Sequence, residues 1–172
     1  MRHVLTVLLL LMSACTGIPE GISPVTGFEL NRYLGTWYEI ARLDHSFERG
    51  LSDIRAEYSL RIDGGVKVVN SGFDAEQGER HGAEGKAYFV DKPDIGRLEV
   101  SFFGPFYGAY NIIALDKADY RYVMITGANR DYLWILARGP TLDDQTLQQL
   151  LAQAKNMGFA TEKLIFDSHG NQ

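Results

Sequence analysis

Apolar and polar residues alternate in short runs over most of this chain, and the period changes only once, near the C-terminus. Trp37 to Leu43 opens the series. Ile54 to Ile62 follows, with Ile54, Ala56, Tyr58, Leu60 and Ile62 on one face, the period-two alternation of a strand. Asp63-Gly64-Gly65 is a tight hairpin signal leading into Val66 to Phe73. Gly82 to Val90 comes next, across a polar loop rich in Glu, Gln and Gly. Leu98 to Phe102, Tyr110 to Leu115, Tyr120 to Thr126 and Tyr132 to Arg138 complete eight strands. A strand and turn every dozen residues or so is the spacing of all-β barrels and sandwiches. Short connections make an up-and-down meander the simplest topology, and eight strands close around one small ligand. The expected fold is all-β, an eight-stranded antiparallel up-and-down barrel.

After Pro140 the period becomes helical. Thr141 is a good N-cap, Asp143 and Asp144 fall in the first turn, and Gly158 supplies the stop. Leu147, Leu150, Leu151 and Ala154 form an apolar stripe, so the C-terminal α-helix is expected to pack outside the barrel. Lys163 to Phe166 reads as a short final strand.

The start of the chain follows different rules. Arg2 and His3 precede an apolar run from Val4 to Met12, then small residues and Cys15, the layout of a secretory leader. The run is too short for a comfortable membrane span. Met12-Ser13-Ala14-Cys15 resembles the bacterial lipobox, which implies that residues 1–14 are removed and that Cys15 is lipidated. Thr16 after the cysteine implies sorting to the outer membrane. Cys15 is the one cysteine of the sequence, so no internal disulfide can form. Thr16 to Gly27, rich in Gly, Pro and Ser, reads with Cys15 as an anchored flexible tether (15–27), leaving 28–172 as the barrel domain.

In an up-and-down barrel, strand ends alternate between two rims. Trp37 begins the first strand, Asp119-Tyr120 joins the sixth to the seventh and Arg138 ends the eighth, so all reach one rim. A guanidinium there can stack on the indole and bond nearby carbonyls, closing the floor. Gly35, before Trp37, lets the chain turn out of a short helical approach from Phe28 to Leu34. Gly35-x-Trp37, Asp119-Tyr120 and Arg138, in this order, resemble the three motifs of the lipocalin family over roughly residues 28–166. Gly35 to Arg42, Ser101 to Asp116 and Asp131 to Arg138 look especially like the bacterial lipocalins. Ala118 stands where the family's usual threonine precedes Asp-Tyr.

Strand parity predicts the interior: Glu39, Ala41, Asn70, Ala87, Phe89, Val100, Phe102, Tyr110, Ile112, Met124, Trp134 and Leu136. This is an apolar tunnel with a few polar points, suited to an acyl chain with one anchored end. Glu39 stands out, because a carboxylate in such a place must be paired or protonated. The resemblance implies binding and transport or storage of fatty acids, lysophospholipids or similar amphiphiles at an outer membrane, without turnover or cofactor. The alternatives are a structural or stress-related envelope lipoprotein with a filled barrel, and a barrel enzyme acting on a lipid. At the opposite rim, Phe103-Gly104-Pro105-Phe106-Tyr107-Gly108 is an aromatic loop fit to receive lipid, graze a membrane or pair two chains. Asp44-His45-Ser46 holds the residue types of a triad, but neighbours on an extended segment point apart. No metal-ligand cluster is visible. The net charge of −5 gives no footprint for nucleic acid.

Overall fold

A computed structural model describes residues 17–170, so the leader and Cys15 lie outside the described residues. A single helical turn, α1 (Leu30–Tyr33), precedes strands β1 (Gly35–Arg42), β2 (Leu51–Leu60), β3 (Val66–Asp74), β4 (Glu79–Phe89), β5 (Arg97–Ser101), β6 (Gly108–Leu115), β7 (Tyr122–Thr126) and β8 (Leu133–Ala137). Helix α2 (Asp144–Asn156), a 3-10 turn (Thr161–Lys163) and β9 (Ile165–Phe166) follow. Each of β2 to β7 pairs antiparallel with the next, β8 returns to β1, and β1 pairs β2 to close the barrel. The expected meander, helix and final strand are all present.

Two apolar clusters divide the protein. One fills the barrel interior around Trp37, Tyr58, Val68, Leu98, Ile112, Val123 and Leu136. The other lies between the outer face of the sheet and α2, where Leu150 and Ala154 meet Ile113, Met124, Leu133 and Ile135. The predicted stripe of α2 is thus buried as a helix on a sheet must bury it. Its cap differs from expectation. Asp143 is the N-cap, accepting from the Thr146 amide at 2.9 Å, because the helix begins at Asp144, three residues beyond Thr141. Asp143→Ala is expected to lower the melting temperature slightly, and Thr141→Ala to leave it unchanged. Thermal unfolding followed by circular dichroism separates the two.

Three other expectations are corrected. The inward face of β2 ends at Tyr58; Leu60 and Ile62 run past the floor and are exposed. Residues 17–27 are not a free tether. Val25 donates to the Ile112 carbonyl and accepts from Gly96, Thr26 bridges Ile95, and Asn111 and Arg130 bond the carbonyls of Gly17 and Glu20. The segment is a strap along the outside of the barrel. In β1 the pairing with β8 shifts between Glu39 and Ala41, a β-bulge with consequences for the site.

Candidate functional site

The floor is built as the three motifs suggested. Gly35 has a φ of +97°, which a side chain resists, and a Cβ there would lie 3.4 Å from the Arg138 guanidinium. Arg138 stacks on the buried Trp37 ring at 4.0 Å. Its nitrogens reach the carbonyls of Thr36 (3.0 Å), Arg32 (2.6 Å) and Tyr120 (3.3 Å), so one side chain ties α1, β1 and the β6–β7 turn together. Tyr120, at φ +54°, accepts from the Glu29 amide and lies under the Arg32 guanidinium. The Asp119 side chain is exposed, with only a 3.9 Å contact to Arg121, and the neighbouring Asp116 carboxylate organises the turn through the Asp119 and Arg121 amides.

Above this plug the floor half of the barrel is filled. Tyr33, Tyr58 and Tyr110 bring their hydroxyls together, with Tyr110 at 2.5 Å from Tyr33 and 2.8 Å from Tyr58. Burial raises all three phenols, that of Tyr58 to about 12, so each stays a neutral hydroxyl. The cavity beside them, lined by Val66, Val68, Ala87 and Leu98 among others, holds about 10 Å³, room for one water.

The mouth half is different, and the β1 bulge makes it so. An extra residue opposite β8 turns Ile40 and Ala41 outward, into the cluster under α2, and brings Arg42 back to the face of Glu39. Glu39 sits opposite Leu136, and Arg42 opposite Trp134, both interior positions. Glu39 and Arg42 are 1% and 3% exposed and paired at 2.6 Å. Arg42 also reaches the carbonyls of Glu48 and Leu51. Glu48 folds inward from the β1–β2 loop, accepts from the Trp134 indole at 3.1 Å and lies 2.9 Å from His45 Nε2. Burial, and then repulsion from Glu48, outweigh Arg42 and raise the Glu39 carboxyl well above its ordinary value. Burial opposes the charge of Glu48 too, but His45, Trp134 and Arg42 together hold its carboxyl below the ordinary value. Glu39 Oε2 and Asn70 Oδ1 are buried without a partner among the described residues.

Of the predicted interior, Ala87, Phe89, Val100, Phe102, Tyr110, Ile112, Trp134 and Leu136 all belong to the inner cluster, and Glu39 is buried opposite one of its members. Asn70 lies between Ala56 and Ala83 in register. Ala41 and Met124 are corrected to the outer cluster, and Val123 and Ile125 take the inward places on β7. Arg42, His45 and Glu48 were missing from the expectation; regular alternation puts Arg42 outside, and only the bulge brings it in. Asp44 is held by Arg49, so Asp44-His45-Ser46 makes no triad. Gly85 lets the Phe102 ring lie against β4 where a Cβ would meet it at 2.8 Å. At the rim Phe47, Phe103 and Phe106 are 72%, 77% and 67% exposed, so the aromatic loop does not fold back on the barrel.

A plugged floor, an apolar wall and a buried polar cluster toward the mouth make up the interior of this eight-stranded barrel. The family model for the lipocalin-like domain matches residues 28–169, and the chain belongs to the lipocalin family. It is 51% identical over 167 residues to the outer membrane lipoprotein Blc of Vibrio cholerae, covering 96% of this chain and 98% of that one. To the protein of the same name from Escherichia coli K12 it is 53% identical over 148 residues, 86% of this chain and 83% of the other. It is similar also to temperature-induced lipocalin-1 of Arabidopsis thaliana, with 36% identity over 81% of this chain and 78% of the relative. Among solved structures, insecticyanin from the tobacco hornworm Manduca sexta shares the fold with a TM-score of 0.70 and 21% identity, over 91% of this chain and 88% of that one.

Proposed function

We propose that this lipocalin binds a single-tailed amphiphile, a fatty acid or lysophospholipid, in the mouth half of its barrel. In this reading Cys15 carries a lipid anchor and holds the domain at the periplasmic face of the outer membrane, in keeping with the names of its bacterial relatives. The observation that carries the reading is the buried Glu39–Arg42 pair, with Glu39 Oε2 and Asn70 Oδ1 lacking partners among the described residues. Buried polar atoms are nearly always satisfied, so these ask for water or a ligand head group. The acyl chain lies along Ala56, Ala83 and the face of the Phe102 ring, beside the short side chains of the two alanines. Each CH₂ contributes up to about 0.8 kcal/mol, from which chain ordering and association subtract. Micromolar affinity is the expected result.

Native mass spectrometry of the domain from Thr16 onward, purified from periplasm without detergent, tests this. A discrete adduct that resolves into a lipid on denaturation is the expected result. Ala83 shares the alternation of Gly85 and Ala87 and is exposed, so Ala83→Trp is expected to plug the mouth without disturbing the fold. Lipid affinity is expected to fall about tenfold or more, the effect of losing roughly two buried CH₂ groups, with unfolding unchanged. The closely filled floor favours one second reading, a structural envelope lipoprotein. A clean apo mass, still unchanged after incubation with fatty acids and lysophospholipids, would select it.

A further inference from the structure

Residues 165–169 lie across a gap in the barrel wall. β1 pairs β2 from Gly35 opposite Tyr58 to Tyr38 opposite Arg55. Toward the mouth β1 instead takes β9 as its neighbour, with Ala41 opposite Phe166 and Arg42 opposite Ile165. The chain then crosses to β2. Asp167 donates its amide to the Ile40 carbonyl, and its carboxylate accepts from the Asp53 and Ile54 amides at 3.0 and 2.7 Å. Those amides need a partner because the β2–β3 ladder is interrupted between Ser52 and Arg55, where Asp53 has a φ of +48°.

His169 completes the crossing. Its side chain is 5% exposed, with Nδ1 2.7 Å from Asp53 Oδ1 and Nε2 2.6 Å from the Glu39 carbonyl. Charged and titratable groups face it from three strands and the tail. Asp53 and Arg55 come from β2, Arg80 from β4, Tyr38 places its ring edge-on from β1, and Asp167 of the tail lies 3.6 Å from Nε2. Arg55 and Arg80 both bond the Asp53 carboxylate, which keeps it ionised and accepting. The Glu39 carbonyl can only accept. A neutral imidazole offers one N–H and one lone pair, so one contact would set lone pair against lone pair; only the imidazolium donates to both.

We propose that Asp167–His169 is a pH-responsive latch over a lateral opening between β1 and β2, shut when His169 is protonated and released when it is neutral. The latch holds the carbonyl of the very residue whose carboxyl pairs with Arg42, so its release frees the wall beside the polar cluster and lets an amphiphile pass sideways. That last consequence rests on the amphiphile reading; the latch itself does not. Because the protonated ring makes the contacts, the latch holds on the acid side and loosens on the basic side.

Amide exchange of the full mature protein, followed by NMR at about pH 5.5 and about pH 8, tests the latch. Corrected for intrinsic exchange, protection of the Asp53 and Ile54 amides is expected to fall about tenfold or more at the higher pH, while β7 and β8 amides keep theirs. In His169→Gln, protection at these two amides is expected to be low at both pH values. Ring nitrogen shifts of His169 supply a check free of substitution: two N–H groups at the lower pH support the latch. Protection that ignores both pH and the variant, or a ring with one N–H at the lower pH, would overturn it. Stopped-flow association of a dansyl-labelled lysophospholipid is expected to quicken with pH in the natural protein and to be fast and level in His169→Gln. Exchange that responds while association does not would overturn lateral passage and leave the latch standing. Absence of lipid binding in both proteins would count against the amphiphile reading instead.

Discussion

Trp37→Ala is expected to lower the unfolding free energy by about 3–5 kcal/mol, the range for removing a buried aromatic side chain. The ring is fully buried, its indole N–H bonds the Tyr33 carbonyl at 2.8 Å, and Tyr33 packs on it at 4.9 Å. The substitution takes away more than volume. Arg138 loses the face it stacks on, and burial already disfavours its charge, so its three carbonyl contacts must hold it unaided. Urea unfolding read by fluorescence of the remaining Trp134 measures the effect. An unchanged midpoint would mean that the floor does not depend on this plug.

The second large effect belongs to Arg42. Arg42→Met removes one partner of a buried ion pair, and a loss of about 3–5 kcal/mol is expected near neutral pH, because Glu39 remains buried without its cation. Glu39→Gln added to that variant is expected to restore most of the loss, since the uncompensated charge is gone. The pH dependence has a definite sign. The folded protein raises the Glu39 carboxyl above its ordinary value near 4.5, so the folded state binds the proton more tightly than the unfolded one. The stability from this group is present at and below the ordinary value and is lost as pH rises through the raised one. The deficit of Arg42→Met is therefore expected to be smaller at acid than at neutral pH, and Glu39→Gln alone to flatten the natural protein's decline. Denaturant titrations of the variants across pH check both.

Much of the architecture can be read from residues alone, for reasons that separate cleanly. Trp37 and Arg138 are recognisable because two ring-and-guanidinium partners must stand at fixed ends of the first and last strands of a meander. Phe89, Val100, Tyr110 and Leu136 are found by alternation because their strands run in regular register at those points. Met124 is not, since Val123, Met124 and Ile125 are all apolar and both faces of β7 are covered, the inner by the core and the outer by α2. A strand buried on both faces carries no alternation to read. Ala41 and Arg42 fail for another reason: the bulge is a matter of register with β8, and no single residue between Glu39 and Arg42 announces it. The polar cluster of the candidate site depends on that bulge, and so was legible only at Glu39.

The strap of residues 17–27 has a mechanical meaning. Gly17 is already bonded to Asn111, and only two peptide steps, at most about 7 Å of extended chain, separate it from Cys15. A domain anchored through Cys15 would ride within a nanometre or so of its attachment point, with almost no slack. A pull on that attachment would load the hydrogen bonds of Val25 to Gly96 and Ile112 in the barrel wall, so tension at the bilayer surface would be felt directly by the container.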